Sequence, residues 1–320
     1  MAKIDKDIAT ARLLLMQGEL VAIPTETVYG LAGNALDGKA VAKIFHVKNR
    51  PDFNPLIIHT NSVDKIREYV KFVPDEILPL AKSFWPGPLT MLLQKNEKVP
   101  DIVTAGSDLV AVRIPYHPLT LQLLHSIDFP LAAPSANPFG YISPTTAIHV
   151  EKQLGDKIEY ILDGGACEVG IESTIIGFEQ TRPTIYRLGG ISVEDIENII
   201  GKVDVKPHSS SQPKSPGMLK SHYAPLKKLL IGSIPDLMQQ VQGESFGIIS
   251  FRDTYPEVDQ HLQVTLSESG DLHEAATKLF AGMRYLDKLP INYIFAELLP
   301  EYGLGRAIND RLKRAAADKT

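Results

Sequence analysis

Glu19-Leu20-Val21-Ala22-Ile23-Pro24-Thr25-Glu26-Thr27-Val28-Tyr29-Gly30-Leu31 is the stretch on which the fold turns. Its first part is short and apolar, as a buried strand requires, and Pro24 ends that strand because proline has no N–H for a ladder. Upstream, residues 7–17 carry Ile8, Ala11, Leu14 and Leu15 at helical spacing and stop at Gly18. Downstream, Asp37 caps a helix to about Val47, with Val41, Ile44 and Phe45 on one face, before Pro51 breaks the chain. The polar turn 25–30 reads equally as a strand-to-helix connection and as a ligand loop.

Further strands are expected at 56–59, 89–93, 109–114, 158–162, 173–178 and 184–188, with helices at 63–70, 118–126, 145–154 and 193–200. Some strands lie close together and others are separated by helices, which predicts an α/β domain with a mixed, twisted sheet over residues 1–202. Residues 208–217, His-Ser-Ser-Ser-Gln-Pro-Lys-Ser-Pro-Gly, are poor in apolar side chains and mark a linker spanning 203–226. Residues 227–320 alternate strands (228–231, 247–251, 262–266, 293–296) with helices (235–241, 271–286, 306–317), the pattern of a small Rossmann-like α/β domain with right-handed connections.

The length of 320 residues suits two domains, and 44% hydrophobic with 22% charged residues excludes a largely disordered chain. Cys167 is the only cysteine, which excludes an internal disulfide, a cysteine zinc cluster and a dithiol centre and fits a reducing compartment. With no visible signal or transit peptide and no apolar run of membrane length, a cytoplasmic protein without membrane contact is expected. The net charge of -5 gives no global attraction for nucleic acid.

Polar clusters follow the predicted strands, where open α/β sheets place ligands. Lys48 and Arg50 stand one residue apart at a helix end, where they complement the dipole; in an extended segment they would point to one side and clamp a polyphosphate. Asn54 and His59 flank the next strand. Ser135-Ala136-Asn137, with Gly140 and Ser143 beyond, offers a hydroxyl and an amide beside exposed backbone N–H groups, or simply a turn held by its own side chains. Arg113 and Arg187 end strands, where each suits a carboxylate or an ordinary surface ion pair. The P-loop, the dinucleotide GxGxxG fingerprint, HExxH and GxSxG are all absent from the sequence, and Gly303-Leu304-Gly305 is too weak to count.

Taken together, residues 24–31, Lys48-x-Arg50, Phe84-Trp85-Pro86-Gly87-Pro88-Leu89-Thr90, Ser135-Ala136-Asn137 and Glu172-Ser173-Thr174 resemble the YrdC-like family of threonylcarbamoyl-AMP synthases. Ser215-Pro216-Gly217-Met218 and His222-Tyr223-Ala224-Pro225 resemble the linker of its long form, which has an extra C-terminal domain. Gly33-Asn34-Ala35 and Asn49 depart slightly from the commoner versions and leave the cations intact. The resemblance implies an enzyme, a nucleotidyltransferase, that joins L-threonine, bicarbonate or CO2, and ATP into threonylcarbamoyl-AMP and pyrophosphate for the threonylcarbamoyladenosine modification of tRNA.

By that resemblance Thr27, His59, Arg113, Ala133 and Ser173 surround threonine. Lys48, Arg50, Asn54, Ser135, Asn137, Ser143, Arg187 and Tyr223 form the ATP side, with Lys48 and Arg50 the catalytic cations and Mg2+ arriving with ATP; the metal ligands are unassigned. Arg113 would pair the carboxylate, and the hydroxyls of Thr27 and Ser173 would reject analogues lacking the threonine hydroxyl. The linker is expected to fold over the cleft as a lid and deliver Tyr223 to ATP, limiting hydrolysis of a labile product. A functional link to the tRNA threonylcarbamoyl transferase complex follows, and weak direct contact with tRNA stays open. Two other classes compete: a double-stranded-RNA-binding module, against which the acidity counts, and a carbamoyl-transfer maturation factor, which the single cysteine disfavours.

Overall fold

A computed structural model of the protein describes residues 1–179, 182–206 and 221–317. The first part runs β1 (Lys3–Asp5), α1 (Ile8–Met16), β2 (Val21–Ile23), β3 (Gly30–Asn34), α2 (Gly38–Lys48), β4 (Ile57–His59), α3 (Val63–Arg67), α4 (Leu78–Phe84), β5 (Leu89–Gln94), α5 (Asp101–Thr104), β6 (Leu109–Arg113), α6 (Pro118–His125), β7 (Leu131–Ala132), α7 (Ala147–Leu154), β8 (Tyr160–Leu162), β9 (Thr174–Glu179), β10 (Arg182–Arg187), α8 (Val193–Ile200) and β11 (Asp204–Val205). These strands form one mixed sheet of order β1-β8-β2-β3-β7-β4-β6-β5-β9-β10-β11. Because β11 pairs with β10, the sheet runs to residue 205, three past the expected boundary at 202.

Asp7 caps α1 by accepting from the Ala9 and Thr10 N–H groups, and Asp37 caps α2 through Lys39. The apolar run in β2 is explained by burial on both faces. Val21 and Ile23 join the cluster beneath α1 and α6, while Ala22 joins the larger core beneath α2 and α7. Beyond Pro24 the strand-to-helix alternative differs from the outcome: residues 24–29 connect β2 to β3, an antiparallel strand, and not to a helix. Helix α3 also stops at Arg67, short of the expected Val70, which bridges to Lys95.

The second part runs β12 (Lys228–Ile231), α9 (Ile234–Gln240), β13 (Phe246–Ser250), β14 (Gln263–Thr265), α10 (Leu272–Asp287), β15 (Tyr293–Ala296) and α11 (Gly305–Ala315). Its four strands are all parallel in the order β12-β15-β13-β14. Its core is not private. Val28, Ile142 and Ile171 of the first part pack in one cluster with Tyr223, Phe280, Ile308 and Leu312. At Gly170, φ is +77° and an added Cβ would stand 2.4 Å from the Thr277 Cα, so glycine there permits both the turn and the approach of α10. Thr277 donates to the Glu168 carbonyl at 2.6 Å, and Arg284 donates to the carbonyls of Ile142 and Ser143. The expected linker residues 208–217 and Ser215–Met218 lie outside the described residues. Among the described residues no helix is long and apolar enough to cross a membrane.

Candidate active site

A cleft opens where the loop after β2, both ends of β4, the end of β6, residues 133–135 and the segment at 222–223 converge. Thr25 shapes the first loop: its hydroxyl donates to the Val28 carbonyl at 2.7 Å and accepts the Thr27 and Val28 N–H groups at 3.2 Å each. The turn holds Thr27 Oγ1 where Arg113 Nη2 donates to it at 2.9 Å.

Arg113 is not a surface residue. Its Nη2 lies 2.7 Å from Glu26 Oε1, with side chains 5% and 3% exposed, and its Nε donates to the Gly87 carbonyl at 3.2 Å. Glu26 Oε2 in turn accepts the Tyr116 N–H at 3.1 Å. In the parallel pair β4–β6, His59 is the register partner of Arg113. Burial, and then the charge of Arg113, push the His59 imidazole down to about 3, so it is neutral at physiological pH. His59 Nδ1 has no hydrogen-bond partner among the described residues.

Lys48 and Arg50 depart from the extended arrangement considered above. Helix α2 ends in a Schellman turn: Asn49 takes φ 50°, Arg50 N–H donates to the Phe45 carbonyl at 2.9 Å and Asn49 N–H to the His46 carbonyl at 3.1 Å. The two side chains therefore take different surroundings. Lys48 is buried behind the wall and donates to the carbonyls of Ser135 and Asn137. Burial, then the neighbouring Arg50, hold its amine well below the usual lysine value. Arg50 lines the cleft, tied to the Asn54 carbonyl at 3.1 Å, to Asn54 Oδ1 at 2.8 Å and to the Pro55 carbonyl at 2.8 Å. Burial, and then the charge of Arg187, bring its guanidinium down to about 9.

Arg187, at the end of β10, donates through Nε to the Ser173 carbonyl and through Nη2 to Ser173 Oγ, both at 2.9 Å. Ser173 Oγ also shares a hydrogen bond of 2.7 Å with Thr90. The three cleft arginines thus have one design: Arg50, Arg113 and Arg187 are each anchored through Nε and Nη2, and Nη1 has no acceptor among the described residues. Fixed, desolvated and in mutual repulsion, they are preorganised for anions.

Opposite them, Glu172 accepts from Ser143 Oγ at 2.5 Å and from Arg311 Nε and Nη2 at 3.1 and 3.0 Å. Burial pushes its carboxyl up, but Arg311 and then Arg187 outweigh that and hold it below the usual carboxylate value. Tyr223, at φ 65°, stands in the cleft wall with Arg311 and Arg314 over its ring at 5.3 and 4.9 Å and Phe280 at 5.4 Å.

Of the residues singled out in the sequence, Thr27, Arg50, His59, Arg113, Ala133, Ser135, Arg187 and Tyr223 line the cleft. Lys48, Asn54, Asn137, Ser143 and Ser173 stand behind that wall and hold its members. Of the expected lid, 203–226, residues 207–220 lie outside the described residues, while Tyr223 itself stands in the cleft wall. Sequence reasoning assigned no role to Glu26 and Glu172, although both sit inside quoted motifs, one residue from a hydroxyl that binds a cleft arginine. It also passed over Thr25, whose spacing to Val28 is that of a hydroxyl-held turn, and His222. Arg311 carries no local signal at all.

Residues 13–189 match the Sua5_yciO_yrdC family, described as telomere recombination, and residues 191–317 match the family described as threonylcarbamoyl-AMP synthase, C-terminal domain. The threonylcarbamoyl-AMP synthase of Pyrococcus abyssi is 40% identical over 324 residues, covering 97% of this chain and 94% of that protein. That of Bacillus subtilis is 39% identical over 326 residues, with 98% and 94% covered. The crystal structure of P. abyssi Sua5 complexed with L-threonine superposes with a TM-score of 0.91 at 39% identity, over 98% of this chain and 97% of that one. The structure of E. coli YciO, at 21% identity and a TM-score of 0.53, covers 59% of this chain and 96% of that one and shares the fold. The chain belongs to the Sua5/YciO/YrdC family, in the two-part form that carries the C-terminal domain of threonylcarbamoyl-AMP synthases.

Proposed function

We propose that the chain is a threonylcarbamoyl-AMP synthase, a nucleotidyltransferase that condenses L-threonine, bicarbonate or CO2, and ATP into threonylcarbamoyl-AMP and pyrophosphate. The observation that carries this reading is the set of three buried arginines around one cleft, each held at two nitrogens and, among the described residues, open at the third. Similarity to threonylcarbamoyl-AMP synthases over nearly the whole chain supports it.

Arg113, beside the hydroxyl of Thr27, takes the threonine carboxylate through Nη1. His59, uncharged, orients the substrate without titrating, and Ala133 offers its backbone. Ser173, assigned to threonine by resemblance, acts through Arg187, since its hydroxyl is already shared between Arg187 and Thr90. Arg50 and Arg187 face the phosphates; Asn54 fixes Arg50, and Lys48 fixes the turn carrying Ser135 and Asn137.

The threonine amine adds to CO2 to give a carbamate, releasing a proton to solvent. A carbamate oxygen then attacks the α-phosphorus in line; the new O–P bond forms as the bond to the bridging oxygen breaks, and pyrophosphate leaves with that electron pair. Catalysis is positioning plus stabilisation of phosphate charge by fixed cations. Among the described residues no group of three or more His, Cys, Asp and Glu side chains could hold a metal. Glu172 in the cleft wall and Glu26 behind it are each paired with an arginine. Mg2+ arrives with ATP, as the Mg-ATP substrate.

The product feeds the transferase complex that completes the tRNA modification, in the cytoplasm. Mass spectrometry of a reaction containing Mg-ATP, L-threonine and bicarbonate tests the reading: the threonylcarbamoyl-adenylate ion is expected, and pyrophosphate without that ion would defeat it.

A further inference from the structure

Arg311 sits in the middle of α11, in the C-terminal part of the chain, and its side chain is 0% exposed. It reaches across to the first part twice. Nε and Nη2 bind Glu172 at 3.1 and 3.0 Å, and Nη1 donates to the Leu188 carbonyl at 2.6 Å. Its guanidinium also stacks over the Tyr223 ring, 5.3 Å from the centroid.

Those contacts flank one residue. Arg187 precedes Leu188, and both of its own anchors lie on Ser173, the residue after Glu172. The two segments are pressed together there: Gly190 N–H donates to the Glu172 carbonyl at 3.0 Å, and a Cβ on Gly189 would fall 2.3 Å from that oxygen. A shift at Glu172 or Leu188 is therefore a shift of Arg187. From its own side the Glu172 carboxylate has the Ser143 hydroxyl at 2.5 Å and its own backbone N–H, so both of its charged side-chain contacts come from Arg311.

We propose that Arg311 is a positioning residue for the adenylation site, through which the C-terminal domain sets Arg187 and Tyr223 against the nucleotide. The domain is then part of the ATP site, although α11 places no side chain in the cleft. This rests on the reading of Arg187 as an ATP contact. A burial role alone would be served by neutralising Glu172; positioning also needs the fork of donors that reaches Leu188 and the planar face against Tyr223.

The test compares Arg311→Met with the double variant Arg311→Met/Glu172→Gln, in which Glu172 no longer stands as an unpaired buried carboxylate and Asp310, 3.2 Å from Arg311 Nη1, keeps Arg314 at 3.5 Å. ATP affinity is read by calorimetry and steady-state constants by pyrophosphate release. The double variant is expected to melt near the parent temperature yet bind ATP about tenfold more weakly, the loss of one or two charge-assisted contacts. Its KM for threonine should stay within about twofold. Parental ATP affinity in a folded double variant overturns the proposal, as does an equal rise in both KM values. If the parent binds ATP but forms no adenylate, the synthase reading alone fails and the calorimetry still decides on Arg311. A parent that binds no ATP overturns both.

Discussion

Glu26 and Arg113 form a buried ion pair 2.7 Å long, with Arg113 in the cleft wall, and among the described residues Arg113 Nη1 has no acceptor, which leaves it for a second carboxylate. Glu26 thus holds the arginine still in the free enzyme without consuming its whole fork.

Replacing Glu26 by Gln strands a buried guanidinium, and the free enzyme should lose about 3 kcal/mol of stability. L-Threonine then supplies the missing carboxylate. The melting temperature of the variant is expected to rise more on saturation with L-threonine than that of the parent. Thermal unfolding with and without the amino acid checks this; a smaller rise in the variant would place the substrate carboxylate elsewhere.

The neutral histidines make stability fall in mild acid. The folded value of His59 is lowered to about 3 from 6.5, and that of His222 lies well below 6.5, in both cases chiefly through burial. Below 6.5 the unfolded chain takes up protons that the folded chain refuses, so stability is lost as pH falls from about 6.5 towards 3. His59 contributes up to about 1.4 kcal/mol per pH unit in that window, and His222 acts in the same direction. Denaturant titrations at pH 7 and 5 should show the loss, and His59→Gln should reduce its slope.

Most elements were legible because their residues decide them locally. β5 and β6 are apolar runs, and α8 begins at a serine that accepts the Asp195 N–H. The missed strands lack that signal. β3 reads Gly-Leu-Ala-Gly-Asn, and Gly33 is there because Leu20 Cδ2 would stand 2.9 Å from a Cβ, a constraint set by packing. β1 and β11 are short, polar and at the sheet edges, as edge strands tend to be. The cleft arginines could be named from the sequence because each ends a predicted element, but their partners could not. Arg311 and Glu172 are 139 residues apart, and helical spacing does not mark which charges of α11 are buried.

The docking of α10 supplies a test of how far the two parts are independent. Gly170→Ala would bring a Cβ to 2.4 Å from the Thr277 Cα at a positive φ, so α10 must retreat or the loop must deform. A loss of roughly 2 kcal/mol or more is expected, from overpacking together with backbone strain. Because the core cluster spans both parts, unfolding should remain a single transition at lower denaturant. Two separated transitions in the parent would contradict a shared core.

Pyrophosphate release from Mg-ATP, measured with L-threonine and bicarbonate present and then with each omitted, tests the central claim most directly. Release that requires both co-substrates is predicted, because the attacking carbamate exists only when amine and CO2 meet beside Arg113. Release that persists without threonine, or none under any condition, would contradict it.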